Sequence, residues 1–298
     1  MFAQEQIDHD LRVALTLKAD DLWFTVGGKL GRQLQADFLG TGAIDGLAGE
    51  AFDEAGLRDI DLTRFEIAAQ FSELARTVAT REWGPKAGVP DTEEQRHYNL
   101  DFVEHFLSTL PSVALGGEDA TSVRFGILKD IYLTSLAWFD LVDAIANVFW
   151  DEPEPDLFLL ELSELARLSG RDLRTIRNQA GPTKPLRTTA ERQLRKDRSI
   201  KDAAFVTVHT FDAVDWLRRR SFDFQPISPE WAHKQIAAAS KPATRARSLL
   251  MLALVNSGAR PLISSTLACS DERLRNLEDG LEQLTPAEEQ CLQAMLGL

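Results

Sequence analysis

The sequence is poor in the features that define several protein classes. It has only two cysteines, Cys269 and Cys291, too few for a disulfide framework or a cysteine-based zinc site. No apolar run reaches the roughly 18–20 residues that a membrane-spanning helix needs. The first residues, MFAQEQIDHD, lack the basic and then apolar pattern of a signal peptide. We therefore expect a cytoplasmic protein that makes no membrane contact.

Motifs of common catalytic and cofactor sites are also missing. The sequence contains no G-x-S-x-G, no H-E-x-x-H and no complete phosphate-binding P-loop. VGGKLG (26–31) has glycines and a lysine, but it lacks the P-loop spacing and predicts a turn. We therefore predict no catalytic residues, no cofactor and no metal site, and expect a binding protein rather than an enzyme.

Helical periodicity dominates the pattern of apolar residues that is present. The composition, with 44% hydrophobic and 27% charged residues, is typical of globular proteins. Apolar residues recur at three- and four-residue intervals in four stretches of the first half of the chain. These predicted helices are residues 3–18, 61–83, 97–110 and 122–150. The pattern predicts a mainly α fold.

Two proline-containing stretches predict the domain boundaries. WDEPEPD (150–156) holds two prolines and four acids in seven residues, and DFQPISPE (223–230) holds two more prolines. The predicted domains are an acidic helical domain (1–150), a middle domain (157–224) and a C-terminal helical domain (229–298).

The net charge of −13 is distributed unevenly along the chain. Residues 1–160 carry −17, residues 161–224 carry +5 and residues 225–298 carry −1. Electrostatic attraction is screened over about 8 Å at physiological salt, so a local basic segment matters more to a phosphate than the total charge. The middle domain is therefore the candidate for nucleic-acid binding.

The stretch LSELARLSGRDLRTIRNQAG (162–181) contains two short helical patterns separated by a turn signal. A helix-turn-helix needs a small residue where the helices touch, a glycine in the turn and an apolar residue facing back from the second helix. Ala166, Gly170 and Ile176 meet these three needs. Asp172 is suited to cap the second helix.

The outer face of this second helix, about residues 172–180, has the chemistry of a DNA reader. Arginine suits guanine, asparagine suits adenine and threonine suits either edge in the major groove. The predicted base-reading residues are Arg174, Thr175, Arg177 and Asn178. The alternative is a helical hairpin whose arginines are only solvated surface residues.

ELARLSGRDLRTIRN (164–178) resembles the helix-turn-helix of the MerR/excisionase-like winged-helix superfamily. AFVTVHT (204–210) predicts a strand, and FDAVDWLRRR (211–220) carries a Trp-Leu pair where that superfamily has one. The resemblance covers about residues 157–224. It implies a winged helix-turn-helix domain with a small β-hairpin, as in bacterial transcription regulators.

The resemblance also implies a basic wing after the second helix. TKPLRTTAERQLRKDRSIK (183–201) holds seven basic residues against two acids. The predicted phosphate contacts are Arg171, Lys184, Arg187, Arg192, Arg195, Lys196, Arg198 and Lys201. This insert is longer than a minimal wing, and its TTAERQLRKD portion (188–197) is compatible with a helix.

LISSTLACSDERLRNLEDG (262–280) resembles the helix-turn-helix of lambda-repressor-like (XRE-type) domains. Its apolar residues fit that pattern, and Leu277-Glu278-Asp279-Gly280 is similar to the family's closing motif. A second DNA site would use Arg273, Arg275 and Asn276. Because acids are mixed among these residues, a dimerisation or partner-binding module is the alternative.

These patterns together predict a sequence-specific DNA-binding transcriptional regulator. Its partner would be double-stranded DNA, and it would bind as a homodimer through residues 1–150, or sense a small-molecule or protein signal there. Two alternatives remain open. One is a DNA-associated accessory protein of a mobile element, acting in excision, partition or replication. The other is a protein-interaction adaptor with degenerate helix-turn-helix units.

Overall fold

The computed structural model shows a mainly helical protein, as predicted. It describes residues 2–41, 54–81, 94–110, 126–152, 159–181, 184–191, 205–220 and 222–298. The chain divides into two compact units, Met1–Ala79 with Thr92–Ser135, and Thr80–Asp91 with Leu136–Leu298. In the ranges that the structure describes, no helix has an apolar stretch long enough to cross a bilayer.

The first unit is built from helices. They are α1 (Gln4–Val26), α2 (Gly28–Leu39), α3 (Glu54–Arg58), a 3₁₀ turn (Leu62–Arg64), α4 (Glu66–Thr80), α5 (Glu94–Ser108) and the start of α6 (Gly126–Asn147). Ile7, Leu11 and Leu15 form a buried stripe along one side of α1. Helices α1 and α2 approach closely at Gly31, where a Cβ atom would lie 2.8 Å from the carbonyl oxygen of Trp23. Only glycine fits that contact.

The second unit contains the rest of α6, a small sheet and eight further helices in the described residues. In chain order these are β1 (Leu159–Glu161), α7 (Leu162–Ser169), α8 (Leu173–Gln179), β2 (Thr188–Glu191), β3 (Phe205–His209), α9 (Thr210–Arg218), α10 (Pro229–Ala238), α11 (Pro242–Asn256), α12 (Arg260–Leu267), α13 (Asp271–Glu278) and α14 (Pro286–Leu296). Helices α7 and α8 form the first helix pair, and α12 and α13 form the second helix pair.

The three strands form an antiparallel sheet in the order β1-β3-β2. Val208 of β3 lies opposite Leu160 on one side and Thr188 on the other. The sequence pattern predicted β3 but not β1, whose three residues are too few for a periodic signal. Thr188–Glu191 is a strand and not the start of a helix, because its backbone pairs with β3. The helix that the pattern of residues 188–197 also allowed is not formed by these four residues.

Helix α11 is the centre of the C-terminal half of this unit. Its residues 248–255 are all buried, and it packs against α9, α10, α12, α13 and α14. A helix that is buried on all sides must be surrounded by other elements. Asn256 at its end exchanges two hydrogen bonds with the backbone of Ile227, at 2.9 and 3.0 Å, which fastens the preceding connection.

The predicted domain boundary near residue 150 does not coincide with a break in packing, because the second half of α6 belongs to the second unit. Trp138 in the second half of α6 is buried, with Phe222 and Phe224 at ring-centroid distances of 6.2 and 6.4 Å. Asp151 accepts the backbone N–H groups of Ser240 and Lys241 at the start of α11. These contacts place residues 136–152 in the second unit. The predicted three-domain division remains a prediction.

Candidate nucleic-acid interface

The first helix pair is joined by a tight turn at Gly170. This glycine has φ 60° and ψ 26°, a left-handed conformation that glycine adopts without strain. Asp172 then caps α8, because its carboxylate accepts the N–H of Arg174 at 2.8 Å. Ile176 is fully buried, as is Leu165 of α7. These contacts fix which side of α8 faces outward.

The outward side of α8 carries the four predicted base-reading residues. Arg174, Thr175, Arg177 and Asn178 are all exposed. Among the described residues, their side chains make no hydrogen bond or ion pair with the rest of the protein. A helix surface with two unpaired guanidinium groups and an amide offers donors and acceptors that suit the edges of base pairs.

The predicted phosphate-binding residues fall into three groups. Arg171 and Lys184 are exposed, and Lys184 Nζ donates to the carbonyl oxygen of Asn178 at 2.5 Å. The basic segment therefore begins beside the end of α8. Five of the predicted contacts lie outside the described residues: Arg192, Arg195, Lys196, Arg198 and Lys201. Arg187 forms the third group by itself.

Arg187 does not fit the phosphate role that the sequence pattern assigned to it. Its Nε donates to Asp212 at 2.7 Å, and its other nitrogens lie 3.7 Å from Glu278 and 3.5 Å from Asp279. Its side chain is 18% exposed. A guanidinium held by three carboxylates would have to lose these ion pairs before it could contact a phosphate. We therefore correct that prediction.

Arg187 belongs to a buried ionic cluster around Arg260. Arg260 Nε donates to Glu278 at 2.8 Å, and its two terminal nitrogens form ion pairs with Asp212 and Glu278. Burial lowers the pKa of Arg260, but the two carboxylates outweigh it, so the net shift is upward. Burial raises the pKa of Glu278 to about 7, although Arg260 favours its carboxylate. The cluster ties α9, α12 and α13 to the residue before β2.

The polar side chains of the second helix pair are held by neighbouring acids. Arg273 donates to Glu288 at 3.0 Å and lies 3.7 Å from Glu282. Asn276 donates to Glu282 at 2.7 Å. Arg275 is half-buried. Two of the three residues predicted for a second DNA site are thus already bound within the chain, which does not support a DNA contact there.

Sequence reasoning missed two arginines beside the first helix pair. Arg219 and Arg220 follow the Trp-Leu pair at the end of α9, and the run Arg218-Arg219-Arg220 was the signal available in the sequence. Arg218, the first arginine of this run, donates to two carbonyl groups near the end of α11 and so lies apart from the other two. The guanidinium carbon of Arg220 lies 3.8 Å from the ring centroid of Trp216.

A pair of carboxyl groups fastens α7 to α6. Asp140 and Glu164 are hydrogen-bonded, and Glu164 also accepts the N–H of Glu161 at 2.6 Å. Burial raises the pKa of both groups, to about 8 for Glu164, where the neighbouring Asp140 adds to the shift. The pair therefore holds a proton at neutral pH.

The first unit exposes apolar side chains near the junction of α1 and α2. Phe24 and Leu30 are each 62% exposed, and Val26 and Leu34 are also exposed. Leu30 and Leu34 share one side of α2 at four-residue spacing. These side chains form an exposed apolar surface for the dimerisation or signal sensing predicted for residues 1–150.

Comparisons with family models, with curated proteins and with solved structures find no match to this chain. In the part of the chain that the structure describes, no group of three or more histidine, cysteine, aspartate or glutamate residues could hold a metal ion.

Proposed function

We propose that residues 157–224 form a winged helix-turn-helix domain and that the protein is a sequence-specific DNA-binding transcriptional regulator of bacterial type. In this proposal α8 lies in the major groove. The strands β2 and β3 and the basic segment between them contact the phosphate backbone. The protein acts in the cytoplasm.

The observation that carries the proposal is the exposed side of α8. Arg174, Arg177 and Asn178 point away from the buried Ile176, and in the described residues no carboxylate neutralises them. Arg273 of α13, by contrast, forms an ion pair with Glu288. A polar helix face that stays unpaired beside a basic segment supports a role in DNA recognition.

Dimerisation through the first unit completes the proposal. Regulators of this architecture gain specificity by placing two recognition helices about 34 Å apart in successive major grooves. The exposed apolar residues of α1 and α2 support a contact there, and the charge of −17 over residues 1–160 keeps this region away from the duplex.

The test begins with selection of bound sequences from random duplex DNA at moderate salt. We expect a palindromic motif. Arg177→Ala and Asn178→Ala should each weaken binding to that motif by about 1–3 kcal/mol and relax the preference at one base position. Arg245→Ala is the matched control, because this exposed arginine of α11 pairs with Glu289 away from α8.

Three results would argue against the proposal. Wild-type affinity of both α8 variants for every duplex would remove the assignment of the base-reading residues. A long footprint with a strong bend and no palindrome would favour the accessory protein of a mobile element. Weak binding without sequence preference would favour the adaptor.

A further inference from the structure

Arg220 contacts Gln179 of α8, and Arg171 and Arg219 lie close enough for their charges to act on it. Arg171 lies just before α8, while Arg219 and Arg220 follow α9. Burial lowers the pKa of Arg220, and the positive charges of Arg171 and Arg219 lower it further. Like charges brought together in this way repel each other unless an anion lies among them. An anion bound among the three arginines would relieve this repulsion.

Arg220 is held in place by groups that leave its charge uncompensated. Its guanidinium carbon lies over the Trp216 ring, 3.8 Å from the centroid. One terminal nitrogen donates to the carbonyl oxygen of Trp216 at 3.2 Å, and the other donates to Gln179. Gln179 also accepts the indole N–H of Trp216 at 2.8 Å. A guanidinium has five N–H donors, so donors remain for a ligand.

The position of Gln179 places this cluster relative to the DNA-reading face. Gln179 and Thr175 are four residues apart, so both lie along the same flank of α8. Arg174 and Asn178 lie on the outward side next to that flank. The one acid that contacts the cluster in the described residues is Asp215, which pairs with Arg219 at 2.8 Å and also accepts the N–H of Arg260. One carboxylate against three guanidinium groups leaves a positive site.

We infer that Arg171, Arg219 and Arg220 form a binding site for a backbone phosphate of duplex DNA, on the flank of α8 that carries Thr175 and Gln179. The inference rests on the proposed function for its ligand, and it adds two residues to those that the sequence pattern indicated. Arginine binds phosphate oxygens through two parallel hydrogen bonds, and a stacked guanidinium is already oriented for this. The site would fix the register of α8 without reading sequence.

The test separates phosphate contact from base reading through the dependence of affinity on salt. Arg171→Gln and Arg220→Gln are compared with Arg177→Ala and with Arg245→Gln, a matched loss of charge on α11. Each phosphate contact releases about one counterion, so either cluster variant should lower the slope of log affinity against log salt by about 1. Cognate and unrelated duplexes should weaken by the same factor, about fivefold at 0.15 M salt.

Two further measurements keep the inference falsifiable. Arg220→Lys retains the charge and should restore most of the slope, which a merely structural role for Arg220 would not explain. Separately, inorganic phosphate is titrated into the full chain while the indole N–H signal of Trp216 is followed by NMR, assigned with Trp216→Phe. A saturable shift that is lost in Arg171→Gln and Arg220→Gln is expected.

The salt dependence of DNA affinity and the phosphate titration together distinguish failure of this site from failure of the proposed function. If the protein binds duplex DNA, the slope of log affinity against log salt tests the site. Unchanged slopes in both Arg171→Gln and Arg220→Gln overturn the inference. If the protein binds no duplex, the proposed function fails, and the phosphate titration alone tests the site. An unshifted Trp216 signal then overturns the site as well, whereas the expected saturable shift supports a phosphate site without a DNA role.

Discussion

The two helix pairs of the second unit have the same local design but different surroundings. Each has a left-handed residue in the turn, Gly170 in the first pair and Ala268 in the second, and each second helix begins with a side-chain cap. The polar side of α8 is exposed and, in the described residues, unpaired. The polar side of α13 is occupied by Glu282 and Glu288. The same local design thus leaves an exposed polar surface in one pair and a polar surface held by neighbouring acids in the other.

The two pairs are also fastened to the protein by different chemistry. The first pair is attached to α6 through the protonated contact between Asp140 and Glu164. The second pair is attached through the buried guanidinium of Arg260, which joins Asp212 and Glu278. A shared proton depends on pH, whereas an arginine keeps its charge at any physiological pH.

The largest expected effect is the loss of the Arg260 attachment. Arg260→Met leaves Asp212 and Glu278 buried without this partner, and breaking a buried ion pair typically costs about 3–5 kcal/mol. We expect a loss of that size in the free energy of unfolding, measured with urea. The control Arg245→Ala removes an exposed ion pair and should cost less than about 1 kcal/mol. Equal losses in the two variants would show that the Arg260 cluster does not stabilise the unit.

The next largest expected effect is on DNA binding, where variants in the exposed polar face of α8 are compared with variants in the paired polar face of α13. Replacing Arg174 with alanine should weaken binding to the selected duplex by about 1–3 kcal/mol, as we expect for Arg177 and Asn178. Replacing Arg273, Arg275 and Asn276 together should leave that affinity unchanged within about 0.5 kcal/mol. Quantitative titration of labelled duplex measures both. Loss of affinity in the triple variant, at unchanged helix content, would restore the second DNA site.

The acid pair predicts an effect that depends on pH. The folded chain holds the proton of Glu164 up to about pH 8, and the unfolded chain releases it near the ordinary value of 4.5. The free energy of unfolding should therefore fall as the pH rises between these values. Glu164→Gln mimics the protonated acid and should unfold at a higher temperature than the wild type at pH 8–9, with a rise of about 2–4 °C for each kcal/mol gained.

Glu73→Gln is the control for that experiment. Glu73 is an exposed residue of α4 that pairs with Arg76, so its replacement should leave the dependence of stability on pH unchanged. Thermal unfolding of the three proteins between pH 5 and pH 9 provides the comparison. An identical pH dependence of stability in the wild type and in Glu164→Gln would contradict the claim that Asp140 and Glu164 share a proton.

The turn residues give the smallest effect. A Cβ atom added at Gly170 would meet open space, so Gly170→Ala should cost only the backbone strain of φ 60°, about 1 kcal/mol. Ala268 has φ 49°, and Ala268→Gly should relieve a similar strain, less the added freedom of the unfolded chain. Urea unfolding should therefore show opposite signs for the two substitutions. The same sign for both would mean that the two turns are not equivalent.

Sequence reasoning could predict the parts of the molecule that depend on local patterns. The apolar spacing of Leu165 and Ile176, the turn at Gly170 and the cap at Asp172 are properties of neighbouring residues, so the positions of α7 and α8 were predicted within about two residues. The exposure of the polar side of α8 then follows from helical periodicity.

The other features depend on contacts between residues far apart in the chain. Arg187 looked like any other arginine of the basic segment, but Asp212 and Glu278, 25 and 91 residues later, hold it inside the protein. Arg220 was overlooked because its neighbours Trp216 and Gln179 come together only after folding. Acidic partners at these distances leave no periodic signal, so the sequence could not separate exposed arginines from internal ones.

The place of Asp212 has a practical consequence for anyone who divides this chain into fragments. Its fully buried carboxylate receives one arginine from the middle of the chain and another from the C-terminal helices. A fragment that ends near residue 224 would lack Arg260 and would also uncover the side of α9 that α11 protects. Biochemical work on residues 157–224, the proposed DNA-binding part, therefore requires the C-terminal residues, about 70 of them, to be expressed with it.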